Sequence, residues 1–171
     1  PPMLEAIEQA QHTINFETYI YWSGQVGEQF ARALAKKAKE GVRVNVIIDW
    51  VGGLKMDGKL VELMESSGAR VKMYRPLHWY NLGRLNNRTH RKLLVVDGRK
   101  AFVGSQNMID SSYLKKSNLK ADRHWVDVMA EVTGPIVNTI NSVFAVDWYT
   151  ESNEELGLLA PTKFKQQLSD D

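Results

Sequence analysis

A chain of 171 residues, 43% hydrophobic and 25% charged, is long enough for one domain with a sizeable core. It has no cysteine, which excludes disulfides and Cys-based zinc sites, and no apolar run of about eighteen residues, which excludes a membrane-spanning helix. The net charge of +2 hides an asymmetry: residues 84–123 carry ten bases against three acids, a balance of +7 that favours an anionic partner, lipid headgroup or nucleic acid.

The chain opens Pro1-Pro2 without a signal peptide, which suggests a piece of a longer protein whose anchor lies elsewhere. Residues 3–11 suit a short amphipathic helix. Residues 13–22 alternate and are rich in β-branched and aromatic side chains, so they predict a strand broken by Ser23-Gly24. Val26, Phe30, Leu34 and Ala38 recur at helical spacing, and Gly41 is the stop signal. Residues 42–49 form a second strand, apolar enough from Val44 to be buried on both faces. A helix over 57–67, ended by Gly68, and a strand over 69–74 complete a β-α-β-α-β order, which implies parallel pairing under packed helices. Residues 75–87 predict an irregular loop. Strands over 90–96 and 100–103 meet at Asp97-Gly98, a hairpin signal. A basic loop over 111–122, a strand over 125–132 and a helix from Gly134-Pro135 to Trp148 follow. From Thr150 the pattern is weak, as in a linker or frayed end.

One cluster stands apart: His90-x-Lys92, then Asp97, then Gly104-Ser105-x-Asn107. If His90 and Lys92 lie on a strand, alternation points both the same way. An imidazole is a competent nucleophile or acid–base group near neutral pH, and a lysine beside it supplies charge to a phosphoryl oxygen. Gly104 lets backbone approach a ligand, while Ser105 and Asn107 supply a hydroxyl and an amide. Together they suit the non-bridging oxygens of a phosphodiester. Six positions fixed together recur by chance on the order of 10⁻⁸ per start position, so the cluster reads as a site. Asp97 lies past the strand that carries His90, and a turn-forming carboxylate is its structural reading.

The stretch over 89–107, THRKLLVVDGRKAFVGSQN, resembles the HKD motif of the phospholipase D superfamily. The flanking NFETYIYW, GVRVNVIIDW and HWVDVMAEVTGPIV…FAVDW are most similar to the first of the two HKD halves of bacterial cardiolipin synthases, over roughly residues 3–150. The resemblance implies an α/β phospholipase D-like sandwich, with a mixed, largely parallel central sheet flanked by helices and a single HKD repeat. The domain is expected over residues 1–150, with a tail or inter-domain linker over 151–171. It further implies catalysis without metal or cofactor: one HKD histidine attacks phosphorus to form a phosphohistidine, a second protonates the leaving alcohol, and an acceptor hydroxyl resolves the intermediate. On the same resemblance the carboxylate that orients His90 is Asp127, seven residues before Gly134-Pro135, while Asp97 mainly stabilises the hairpin. Catalytic roles are thus expected for His90, Lys92, Asp97 and Asp127, and phosphate binding for Gly104, Ser105 and Asn107.

Weaker candidates lack the spacing of a second motif. His78 and His124 read as incidental, Glu17 as paired with a buried base or backbone donor, and Asp147-Trp148 as packing. Trp79 and Tyr80 fit a surface loop. Three functions compete. The first is a phosphatidyltransferase half acting on an anionic, phosphatidylglycerol-like lipid, completed by a second HKD half in the same chain or by a homodimer mate; the full protein then works at the cytoplasmic membrane and this piece is soluble. The second is a homodimeric phosphodiesterase or nuclease, for which nucleic acid is the partner. The third is an inactive half that only binds anionic phosphate groups.

Overall fold

The computed structural model describes residues 2–76, 88–110 and 127–157. Among them the order is α1 (Pro2–Gln9), β1 (Thr13–Thr18), α2 (Gln25–Lys39), β2 (Arg43–Asp49), α3 (Gly58–Ser66), β3 (Arg70–Tyr74), β4 (Leu93–Val96), β5 (Lys100–Gly104), β6 (Met129–Thr133) and α4 (Ile136–Ser152). The expected α/β layering is present: one six-stranded sheet, in the order β3-β2-β1-β4-β5-β6, lies between α1–α3 and α4.

Strand alternation builds the two cores. Ile14 and Phe16 of β1, Val44, Val46 and Ile48 of β2, and Leu94 and Val96 of β4 bury against Met3, Ile7, Phe30, Leu34 and Met64. The opposite face of the sheet, with Ile47, Leu93, Val95 and Ala101, packs on Val137, Phe144 and Trp148 of α4. The apolar run of β2 is buried on both faces from Val44 to Asp49. Local signals set the helix ends. The Asp57 carboxylate caps α3 by accepting from Lys59 N at 3.0 Å, and Gly41 and Gly68 follow α2 and α3 with φ of +89° and +96°.

The sheet is mixed but not largely parallel. Only β1–β2 and β2–β3 run parallel, while β1–β4, β4–β5 and β5–β6 are antiparallel. Asp97 and Gly98, at φ +53° and +62°, make the tight turn that forces β5 back along β4. β4 then joins β1 on the edge that β2 leaves open.

β6, expected over 125–132, begins only at Met129, and β1 and β4 are also shorter than expected in ways that shape the site. β1 leaves the ladder after Thr18, although Tyr21 still bridges to Met108. β4 begins at Leu93, so His90 and Lys92 are not on a strand. The reason is competition for backbone groups: Thr89 N donates to the Asp49 carboxylate at 3.3 Å instead of to a neighbouring strand. At the far end α4 runs to Ser152, where Asn153 at φ +56° ends it, and Glu154 pairs with Arg70 at 2.7 Å. Residues 77–87 of the irregular loop expected over 75–87, the whole basic loop over 111–122, and His78, Trp79, Tyr80, His124 and Trp125 lie outside the described residues.

Candidate active site

Residues 88–92 cross the end of β1 and carry His90 at the surface. The imidazole stacks on Tyr19, with ring centroids 4.2 Å apart and planes 18° from parallel. Lys92 reaches the same place by another route. Its Nζ donates to His90 O at 2.6 Å and lies 5.4 Å from the centre of the Tyr19 ring. His90 and Lys92 are thus brought together by Tyr19 and a backbone carbonyl, not by strand alternation. Partial burial holds the Lys92 ammonium below its ordinary pKa, and the Asp127 charge works against that shift.

Asp127 enters from the segment before β6. Its Oδ1 accepts from Ser105 Oγ at 3.0 Å, and Ser105 Oγ in turn accepts from Val128 N at 3.0 Å. Among the described residues no hydrogen bond joins Asp127 to the imidazole, whose ring contact is with Tyr19. Asn107 Oδ1 accepts from Ile20 N at 3.1 Å, and its Nδ2 lies 3.5 Å from Ser105 O. Ser105 and Asn107 therefore brace the loop that faces Tyr19.

Gly104 permits this brace, because a Cβ there would stand 2.0 Å from Val128 O and 2.7 Å from Met129 Sδ. Gly104→Ala is expected to destabilise the fold by about 1–3 kcal/mol, a fall in Tm of roughly 3–10 °C. Thermal unfolding checks this, and an unchanged Tm would contradict so close an approach.

Asp97 is elsewhere. Its Oδ1 accepts from His12 N at 2.7 Å and Thr13 N at 2.8 Å, and its Oδ2 from Gln11 N at 2.9 Å. The carboxylate of the motif thus ties the hairpin turn to the start of β1.

Beneath His90 lies a buried polar cluster that sequence reasoning read differently. Glu17 is fully buried, and its partner is not a base: Oε1 accepts from the Thr89 hydroxyl in a short hydrogen bond. Burial pushes the Glu17 carboxyl up to about 8; the Thr89 bond pulls it down and the Asp147 charge adds to the rise. Asp147, expected as packing, is 5% exposed and forms a short ion pair with Arg91. Tyr19 escaped sequence reasoning: it stands just past the end of β1, where strand alternation no longer sets the face of a side chain.

The raised Glu17 value sets a pH trend. Its stabilising contribution is complete below about pH 4.5 and is lost as pH rises through about 8. Tyr74, Arg75, Arg88, Thr89, His90 and Arg91 line an open cleft of about 530 Å³ beside the imidazole. Arg75, Arg88 and the Asp147-paired Arg91 put three guanidinium groups along this cleft, a charge that suits a phosphate. Among the described residues no group of three His, Cys, Asp or Glu side chains is placed to hold a metal.

The family described as cardiolipin synthase, PLD-like domain, matches residues 3–148. The chain belongs to that family. The chain is 32% identical to the cardiolipin synthase of Clostridium perfringens over 158 residues, 91% of this chain and 32% of that protein. It is 35% identical to that of Geobacillus kaustophilus over 151 residues, covering 88% and 30%. It therefore spans about a third of the length of these curated relatives. Among solved structures the same PLD-like fold recurs in Nuc, a phospholipase D family member from Salmonella typhimurium. That likeness has a TM-score of 0.66 at 16% identity, over 91% of this chain and 88% of that one. NucT from Helicobacter pylori gives 0.66 at 14% identity.

Proposed function

We propose that this PLD-like domain supplies one half of a phosphatidyltransferase site, with His90 as the residue that takes up the phosphatidyl group. The observation that carries this is the surface imidazole held on Tyr19 beside Lys92, at the mouth of an arginine-lined cleft. The family match supports a phospholipid substrate.

In the proposed reaction an imidazole nitrogen of His90 attacks the phosphorus of one phosphatidylglycerol. The bond to glycerol breaks, and the glycerol oxygen takes a proton from a second histidine across the site. The hydroxyl of another phosphatidylglycerol then attacks the phosphohistidine, returning a proton to that second histidine and giving cardiolipin. Lys92 and the cleft arginines carry the charge of the non-bridging oxygens. Asp127 orients the imidazole when the site closes on substrate, a tightening that catalytic hydrogen bonds often await. The second histidine comes from another HKD half, in the same protein or in a second copy. In this reading lipid reaches the domain at a membrane surface; no described helix is long and apolar enough to cross a membrane.

The protein that carries this chain should convert phosphatidylglycerol vesicles to cardiolipin and glycerol and leave single-stranded DNA intact. Cleavage of DNA with no lipid turnover would replace this function with that of a nuclease.

A further inference from the structure

The last ladder bond on this side runs from Gly104 N to Lys92 O at 3.2 Å, so something other than the strand ladder must set where His90 stands. Three carboxylates do so, each from a different element. Asp49, at the end of β2, accepts from Thr89 N at 3.3 Å and also holds Val51 N at 3.0 Å. Glu17 of β1 takes the Thr89 hydroxyl, and Asp147 of α4 takes the Arg91 guanidinium. Both residues flanking His90 are therefore gripped from below, and Thr89 is 3% exposed. The imidazole is left to project outward onto Tyr19, just past the end of β1 and two residues beyond Glu17.

We infer that Glu17 is a positioning residue for His90: with Asp49 and Asp147 it clamps Thr89 and Arg91 and so fixes the imidazole against Tyr19. This rests on His90 being the reactive group proposed above, but Glu17 itself touches no substrate.

The clamp has a protonation requirement. Oε2 of Glu17 is buried without a hydrogen-bond partner among the described residues, and the nearby Asp147 charge adds to the rise of the carboxyl. An ionised Glu17 would add a further buried charge to a cluster that already holds the buried Asp49 and Asp147 carboxylates. The groups around it are Asp147 on α4, Asp49 on β2, Tyr74 on β3, and Thr89 and Arg91 on the crossing segment. Tyr74 is itself pushed up, by burial and then by the Asp147 charge, so it supplies no compensating anion or cation. The neutral form of Glu17 persists up to about pH 8. Above that, a buried carboxylate stripped of water, with Asp147 adding to the cost, favours opening of the cluster to solvent, and His90 loses its fixed stance.

The test is a kcat and KM profile from pH 6 to 10 for the wild-type protein, Thr89→Val, Thr89→Ser, Glu17→Ala and Glu17→Gln. Displacing the imidazole should lower kcat on the order of 10–100-fold in Thr89→Val and Glu17→Ala with KM within about twofold, and Thr89→Ser and Glu17→Gln should recover most of it. Wild-type kcat should fall as pH rises through about 8, and that fall should be absent in Glu17→Gln. A wild-type pH profile and kcat in Thr89→Val, or a Glu17→Gln profile that matches wild type, overturns the inference.

A second readout separates this from the proposed reaction. The His90 ring signal in an NMR titration, assigned by its loss in His90→Ala, should show an extra inflection near pH 8 that Glu17→Gln removes. If the wild-type protein turns over no lipid but keeps that inflection, the reaction is wrong and the clamp stands. If lipid turns over and the inflection is missing or unchanged in Glu17→Gln, the clamp is wrong.

Discussion

His90→Ala is expected to reduce lipid turnover by at least about 10³-fold while leaving Tm within about 1 °C of wild type. The two halves of that expectation come from different observations. His90 is exposed, and its recorded ring contact is the face of Tyr19, so removing the imidazole opens no core cavity. Nothing else among the described residues can replace its chemistry. Lys92 donates to His90 O and offers the phosphate only charge, and Ser105 Oγ is engaged by Asp127 and Val128. A large activity loss with an intact fold marks a residue that acts on substrate; a small loss would mark a bystander.

Asp97→Ala is expected to do the opposite. It removes an acceptor of three backbone N–H groups, those of Gln11, His12 and Thr13, at the junction of α1 and β1. Hydrogen bonds to a charged group contribute about 1.5–3 kcal/mol each, but two of these are exposed and are discounted for solvent. The net loss is about 2–4 kcal/mol, which lowers Tm by roughly 5–15 °C. Turnover per folded molecule, measured well below the lowered Tm, should stay within about twofold of wild type, because the change lies in stability rather than in transition-state binding. A variant that keeps its Tm but loses turnover would return Asp97 to the reacting centre.

Features that depend on near neighbours could be read from the chain. The alternation of Val44, Val46 and Ile48, the Asp57 cap, the Gly41 and Gly68 stops and the Asp97-Gly98 turn are all decided within a few residues. Pairing direction is not local. The β-α-β-α-β order implied a largely parallel sheet, but β4 added to β1 in the antiparallel sense, and no periodicity in either strand reports that choice. The same limit applied at the site. His90 and Lys92 stand out because they are two apart, whereas the groups that hold them meet across 72 residues for Glu17 and Thr89 and 56 for Arg91 and Asp147. An isolated buried glutamate suggests a basic partner by simple charge balance. The fold supplied a hydroxyl and a second acid instead, at the expense of a carboxyl held neutral to about pH 8.

The central claim is that the phosphatidyl group is carried on His90. The most direct measurement mixes the protein with phosphatidylglycerol, quenches at alkaline pH to preserve a phosphoramidate, and locates the adduct by peptide mass spectrometry. A phosphatidyl group on His90, absent from His90→Ala, is the predicted result. Cardiolipin formed with no adduct on His90, or with the adduct on another side chain, would contradict it.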